Sequence, residues 1–179
     1  MKRQRNFTTR DIIFIGVFSA LCVIATTVKI PLVTGGMVHL GTACLFTIAI
    51  LFGGVYAGLS GAIGSAFFDL LIGFSPYTIW SFVIKGIAGF IAGIVVKGLW
   101  PETKVGQHPV TNKVWMVKAI FGCLLAALWT LGGYILAWWQ VTGSLSVAIG
   151  NMPSSLITSG VGMIVAFFLT VKLHNVIKM

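Results

Sequence analysis

Six apolar stretches, at about residues 11–30, 39–54, 55–74, 77–98, 114–139 and 150–172, fill most of this chain and are parted only by short segments with Gly, Pro or a few charges. A membrane-crossing helix takes about 20 predominantly apolar residues, and so many such stretches fit successive crossings rather than the core of a soluble domain. Composition agrees: 58% of residues are hydrophobic and 8% charged, with a mean hydropathy of +1.02. A soluble domain carries roughly 25% charged residues, so this chain cannot cover a water-facing surface, and a soluble enzyme is excluded. The expected fold is an all-α integral membrane protein, one domain of six transmembrane helices over residues 1–179. Six crossings and short loops use up the chain, so no catalytic or nucleotide-binding domain is expected, and energy for any work must come from elsewhere.

The twelve Lys and Arg residues give a formal charge of +9. They sit at the ends of apolar runs rather than on one polar face, so they read as membrane anchors and not as a nucleic-acid patch. With the N-terminus inside, the inner segments hold Lys2, Arg3, Arg5 and Arg10, then Lys97, Lys104, Lys113 and Lys118, then Lys172 and Lys178. Only Lys29 and Lys85 fall elsewhere, and the positive-inside rule therefore places both termini in the cytoplasm. The first stretch has the basic start of a signal peptide but no small-residue cleavage site before Lys29, so it is expected to remain as a helix. Trp100 and Trp115 flank the inner loop as interfacial anchors, and His108 and His174 are expected to be solvated or to face headgroups. The outer connection from Lys29 to His39 is mostly apolar yet contains Pro31 and Gly35-Gly36, which suits a flap packed over something rather than a solvated loop.

Ionisable side chains inside a bilayer are costly, and two stand there: Asp69 and Lys85. Gly58, Ala62, Ser65 and Asp69 share one helix face, as do Thr78, Ser81, Lys85, Gly89 and Ala92, so both charges are expected to face inward along closely packed stripes. At 1.5 Å per residue Asp69 lies about 6 Å below the outer end of its helix and the Lys85 backbone about 12 Å. A Lys stem of roughly 6 Å leaning outward brings the ammonium to the level of Asp69. The two then either pair as a structural lock or bind a polar ligand in the outer half of the membrane.

Polar and aromatic groups converge at that depth. Asn151, Ser155, Thr158 and Gly162 fall on one face of the last stretch, and His39, Tyr77, Trp80, Trp138, Trp139 and Gln140 complete an outer cup. Aromatic walls with a few fixed donors and acceptors suit a flat heteroaromatic ligand. Enzyme signatures are absent: the chain has no HExxH, no GxSxG and no paired carboxylates, and Asp11 and Glu102 lie at the inner side. No catalytic residues, metal site or cofactor are therefore expected, and Cys22, Cys44 and Cys123, with no CxxC spacing, are read as packing residues. Gly16-x-x-x-Ala20 in the first stretch is a small-xxx-small pair that lets another helix approach closely.

The order of these features resembles the S components of energy-coupling factor (ECF) vitamin transporters over essentially the whole chain. The likeness is carried by the basic start, the small-residue first helix, the apolar outer loop and His39-Leu40-Gly41-Thr42. Further on, Gly53-Gly54-x3-Gly58-x2-Gly61-x2-Gly64-x4-Asp69-x3-Gly73 and Lys85-Gly86-x2-Gly89 continue it. The resemblance implies a substrate-capture subunit in the bacterial plasma membrane that binds a vitamin outside and works with a transmembrane T subunit and two ATP-binding-cassette ATPases. It implies that Gly16 and Ala20, where the family commonly has Ala-x-x-x-Ala, meet the T subunit. It also implies that the loop from Pro31 to Met37 is a lid and that Lys85, Trp138 and Asn151 face the pocket. Within the family the chain looks most similar to the subgroup serving hydroxymethylpyrimidine and pyridoxine, with riboflavin, folate, biotin and thiamine left open. The competing readings are an autonomous secondary carrier relaying protons through Asp69 and Lys85, and an assembly subunit without a ligand.

Overall fold

An apolar segment shielded from water must satisfy its own backbone N–H and C=O groups, and this chain does so almost entirely in helices. The computed structural model describes residues 7–32, 36–100 and 113–177, with side chains as far as Leu173. Lys2, Arg3, Arg5, Glu102, Lys104, His108, Lys178 and the side chain of His174 lie outside the described residues.

Helix α1, Thr9–Thr27, starts at a capping box in which Thr8 and Asp11 satisfy each other's free groups. The Asp11 carboxylate accepts from the Thr8 N–H at 2.9 Å and the Thr8 hydroxyl at 2.7 Å, and also from the Tyr56 hydroxyl on a neighbouring helix. Asp11 is wholly buried, a burial made tolerable by the reciprocal cap and the phenol donor.

The connection after α1 is not a plain loop. Strands β1, Lys29–Pro31, and β2, Met37–His39, pair antiparallel with Lys29 opposite His39, adding a small hairpin to the expected all-helical fold. The stretch expected to begin a helix at His39 accordingly begins one at Gly41. Helix α2, Gly41–Phe52, has 12 residues, so at 1.5 Å per residue it is about 18 Å long against a hydrocarbon core of about 30 Å. Among the described residues five spans are long and apolar enough to cross a membrane, and α2 is not among them. It is buried on nearly every side, which is where a helix apolar all round belongs.

Helix α3, Gly54–Leu71, follows Gly53, whose φ of 87° makes the sharp turn out of α2. A 3-10 turn at Ser75–Tyr77 leads into α4, Thr78–Lys97. The first N–H groups of α3 are satisfied by the end of α4, with Gly54 donating to Gly98 at 3.1 Å and Val55 to Leu99 at 3.0 Å. The expected small-residue stripe of α4 brings backbones together at Gly89, where a Cβ would stand 2.5 Å from the Ala57 carbonyl oxygen; outside that stripe, a Cβ on Gly93 would meet the Gly54 backbone.

Helix α5, Lys113–Thr142, runs three residues beyond its expected end, with Trp138, Trp139 and Gln140 near its close. A short helix the apolar pattern did not resolve, α6 at Leu145–Gly150, precedes α7, Met152–Ile177, with Asn151 at the joint. The main core gathers Phe18, Phe46, Ile50, Tyr56 and Trp115. Trp115 is thus a core residue, and Trp100 packs edge-on to Tyr56 at 6.0 Å, so both belong to the packing as well as to the expected interface. Ile79 at 77% and Ile164 at 73% exposure are among many apolar side chains turned outward, as lipid contact requires.

Candidate functional site

At the end of the bundle where α3 stops and α4 starts, a cavity encloses about 740 Å³ of atom-free space, counting its open mouth. The end of α1 gives it Thr26, β2 gives Met37 and His39, α3 gives Ser65, Phe68 and Asp69, and α4 gives Ser81 and Lys85. The opposite wall carries Thr130, Tyr134 and Trp138 from α5 and Ser154, Ser155, Thr158 and Ser159 from α7.

Both intramembrane charges face this space, but they do not pair. The Lys85 ammonium donates to Thr42 Oγ1 of α2 at 3.0 Å and lies 5.5 Å from the centre of the Tyr134 ring. Asp69 is buried, and its Oδ2 has no hydrogen-bond partner. Ser81 Oγ and the Tyr134 hydroxyl are 3.2 Å apart, which fixes the ring beneath the ammonium. His39 Nδ1 accepts the Gly41 N–H at 3.1 Å, so the other ring nitrogen carries the proton. Burial first, then the nearby Lys85 and Lys29, pushes its pKa down to about 3, and the imidazole is neutral at physiological pH.

The hairpin is fastened to two walls of the cavity. Thr158 Oγ1 donates to the Met37 carbonyl at 3.3 Å, and Gly36 is so close to α7 that a Cβ there would lie 2.6 Å from Ser154 Oγ and 2.7 Å from Asn151 Oδ1. On the other side Lys29 Nζ sits 5.0 Å above the Phe68 ring of α3. Tyr77 and Trp138, with ring centres 4.9 Å apart, supply an aromatic wall.

Of the side chains singled out in the sequence, His39, Asp69, Tyr77, Lys85, Trp138 and Ser155 line the cavity. Asn151 lines an adjoining crevice between α5, α6 and α7. Trp80 packs behind the wall in a cluster with Tyr77, Ile84 and Ala137. Trp139 and Gln140 are turned outward, because successive residues of a helix point about 100° apart and Trp138 takes the inward direction. The sequence reading passed over Thr130 and Tyr134, although with Trp138 they form an every-fourth-residue row on α5 that could have revealed them. Gly16 and Ala20 face out of the bundle, and nothing lies within 4 Å of a Cβ built on Gly16. Among the described residues no group of three or more His, Cys, Asp or Glu side chains is placed to hold a metal ion.

A family model described as "ECF-type riboflavin transporter, S component" matches residues 6–175. The thiamine precursor transporter HmpT of Lactococcus lactis subsp. cremoris is 26% identical over 99% of this chain and 93% of its own length. A Pyrococcus woesei protein described only as uncharacterized is 35% identical over 44% of this chain and 53% of its own length. A UPF0397 protein of Streptococcus pneumoniae is 29% identical over 51% of this chain and 50% of its own. The chain thus spans about half the length of the archaeal and pneumococcal relatives and nearly all of the lactococcal one.

Proposed function

Because this chain belongs to the ECF-type riboflavin transporter S-component family, we propose that it is the substrate-capture subunit of an ATP-driven importer, taking up a small heteroaromatic vitamin precursor, hydroxymethylpyrimidine or pyridoxine. The observation that carries the reading is the cavity itself. A buried carboxylate and a buried ammonium face one aromatic-walled space, and such walls with a few fixed polar groups suit a small polar ring. The name of the lactococcal relative favours the pyrimidine over the larger riboflavin of the family's description.

In this proposal the ring lies against Tyr77 and Trp138, Asp69 accepts a hydrogen bond from it and Lys85 donates one to it. The β1–β2 hairpin covers it. Both termini are cytoplasmic in the cell membrane, the cavity opens outward, and α2 counts as the sixth, incomplete crossing. A T subunit meets the exposed Gly16 and Ala20 face of α1, and two ATPases drive release inward. Asp69 and Lys85 not being in contact weighs against an autonomous carrier that passes a proton between them. The test is mass spectrometry of small molecules released from the purified, denatured protein, followed by uptake into vesicles with and without the partner chains. Release of hydroxymethylpyrimidine or pyridoxine and uptake only with the partners and ATP is the expected result. Release of riboflavin overturns the substrate, and uphill uptake by the chain alone overturns the subunit role.

A further inference from the structure

The two charges in the cavity differ in what they lack. Lys85 already has Thr42 Oγ1 at 3.0 Å and the face of Tyr134. Asp69 is 8% exposed, and its Oδ2 has no hydrogen-bond partner, the Ser81 hydroxyl being the one neighbouring donor of the carboxylate. A buried ionised oxygen left without a donor is unfavourable, so a ligand that brings an N–H to it gains a charge-assisted hydrogen bond, while a ligand without one leaves the oxygen stranded.

The charge balance of the site adds a second constraint. Among the described residues of the lining, Asp69 and Lys85 cancel, and His39, accepting the Gly41 N–H, is neutral. The remaining polar side chains are hydroxyls and the Trp138 indole, all neutral. A phosphate ester would bring up to two negative charges into a space that offers one cation, already engaged, and one carboxylate that repels it.

We infer that Asp69 is the specificity-determining residue of the cavity: it requires an N–H donor on the bound ring and excludes the phosphorylated form of the same ring. This rests on the small-ring reading above and adds a selection rule to it. A ring amine or ring N–H points at Asp69, and a hydroxymethyl group is admitted as the free alcohol.

Calorimetric titration of the purified protein tests the rule with three probes: 4-amino-5-hydroxymethyl-2-methylpyrimidine, the same ring with hydrogen in place of the amine, and the phosphate ester of the first. The wild type should bind the amine-free ring roughly tenfold to a hundredfold more weakly and the phosphate ester at least about a hundredfold more weakly than the parent. In Asp69→Asn, which keeps the shape and removes the charge, both ratios should shrink by about tenfold, with thermal melting verifying the fold. Asp69→Ser serves if the asparagine variant does not fold. Equal binding of amine and amine-free rings by the wild type, equal binding of alcohol and phosphate, or ratios unchanged in a folded Asp69 variant each overturn the inference. If no pyrimidine binds, pyridoxine and pyridoxine phosphate replace them: equal binding of those two overturns the Asp69 rule alone, and binding of neither overturns the small-ring reading together with it.

Discussion

Lys85 and Asp69 share a cavity without touching, so deleting one does something different from deleting both. Lys85→Met removes the only cation of the described lining and leaves a buried carboxylate uncompensated, which should lower the melting temperature as well as weaken binding. Adding Asp69→Asn removes that strain, and the double variant should melt close to the wild type while its dissociation constant stays at least about tenfold higher, the worth of one charge-assisted hydrogen bond. Calorimetric titration with unchanged affinity in the double variant would remove both charges from the binding site. Gly36 offers a test that leaves those charges alone. A methyl group there would press on Ser154 and Asn151, so Gly36→Ala should lift the hairpin from α7 and speed ligand dissociation several-fold, with helix content unchanged by circular dichroism. A dissociation rate equal to the wild type would mean that β2 does not hold the ligand in.

At the scale of elements, close helix packing divides the glycines into two kinds. Gly93 has the backbone of Gly54 where its side chain would be, and Gly93→Ala should destabilise by about 1–3 kcal/mol as an overpacked core does. Gly132→Ala, with nothing within 4 Å, should be neutral or slightly stabilising, since a helix prefers Ala. Thermal melting in detergent compares the two, and equal shifts would contradict the packing described for α3 and α4. The small-residue rows were legible in the sequence because i, i+4 spacing alone puts residues on one face. The long spans were legible from apolar runs, and Asp69 and Lys85 from the cost of charge in lipid. The hairpin was not legible, because three-residue strands carry too few residues to display an alternating pattern. Neither was α6, because its six residues, Leu145–Gly150, fall in the connection before the last stretch and are too few to display a helical period. Thr42 as the partner of Lys85 could not be read either: a threonine at the start of an apolar helix gives no sign of what lies across from it.

At the scale of the whole molecule, the cavity and the exposed α1 face lie on different surfaces, so capture and assembly should separate by mutation. Gly16→Leu with Ala20→Leu puts bulk on a face that meets nothing within this chain, and should leave ligand affinity unchanged while abolishing uptake in cells that hold the partner subunits. Loss of affinity in this variant would show that the face serves packing within the chain. The same scale gives a meaning to the brevity of α2. Its 12 residues cover about 18 Å, less than a hydrocarbon layer about 30 Å thick. Lys85 of the cavity lining reaches the first turn of α2 at Thr42, and strand β2, whose Met37 and His39 also line the cavity, leads into that turn. The helix that begins where β2 ends thus supplies the acceptor of the buried ammonium, so the hairpin and Lys85 are tied together through the short run from Leu40 to Thr42.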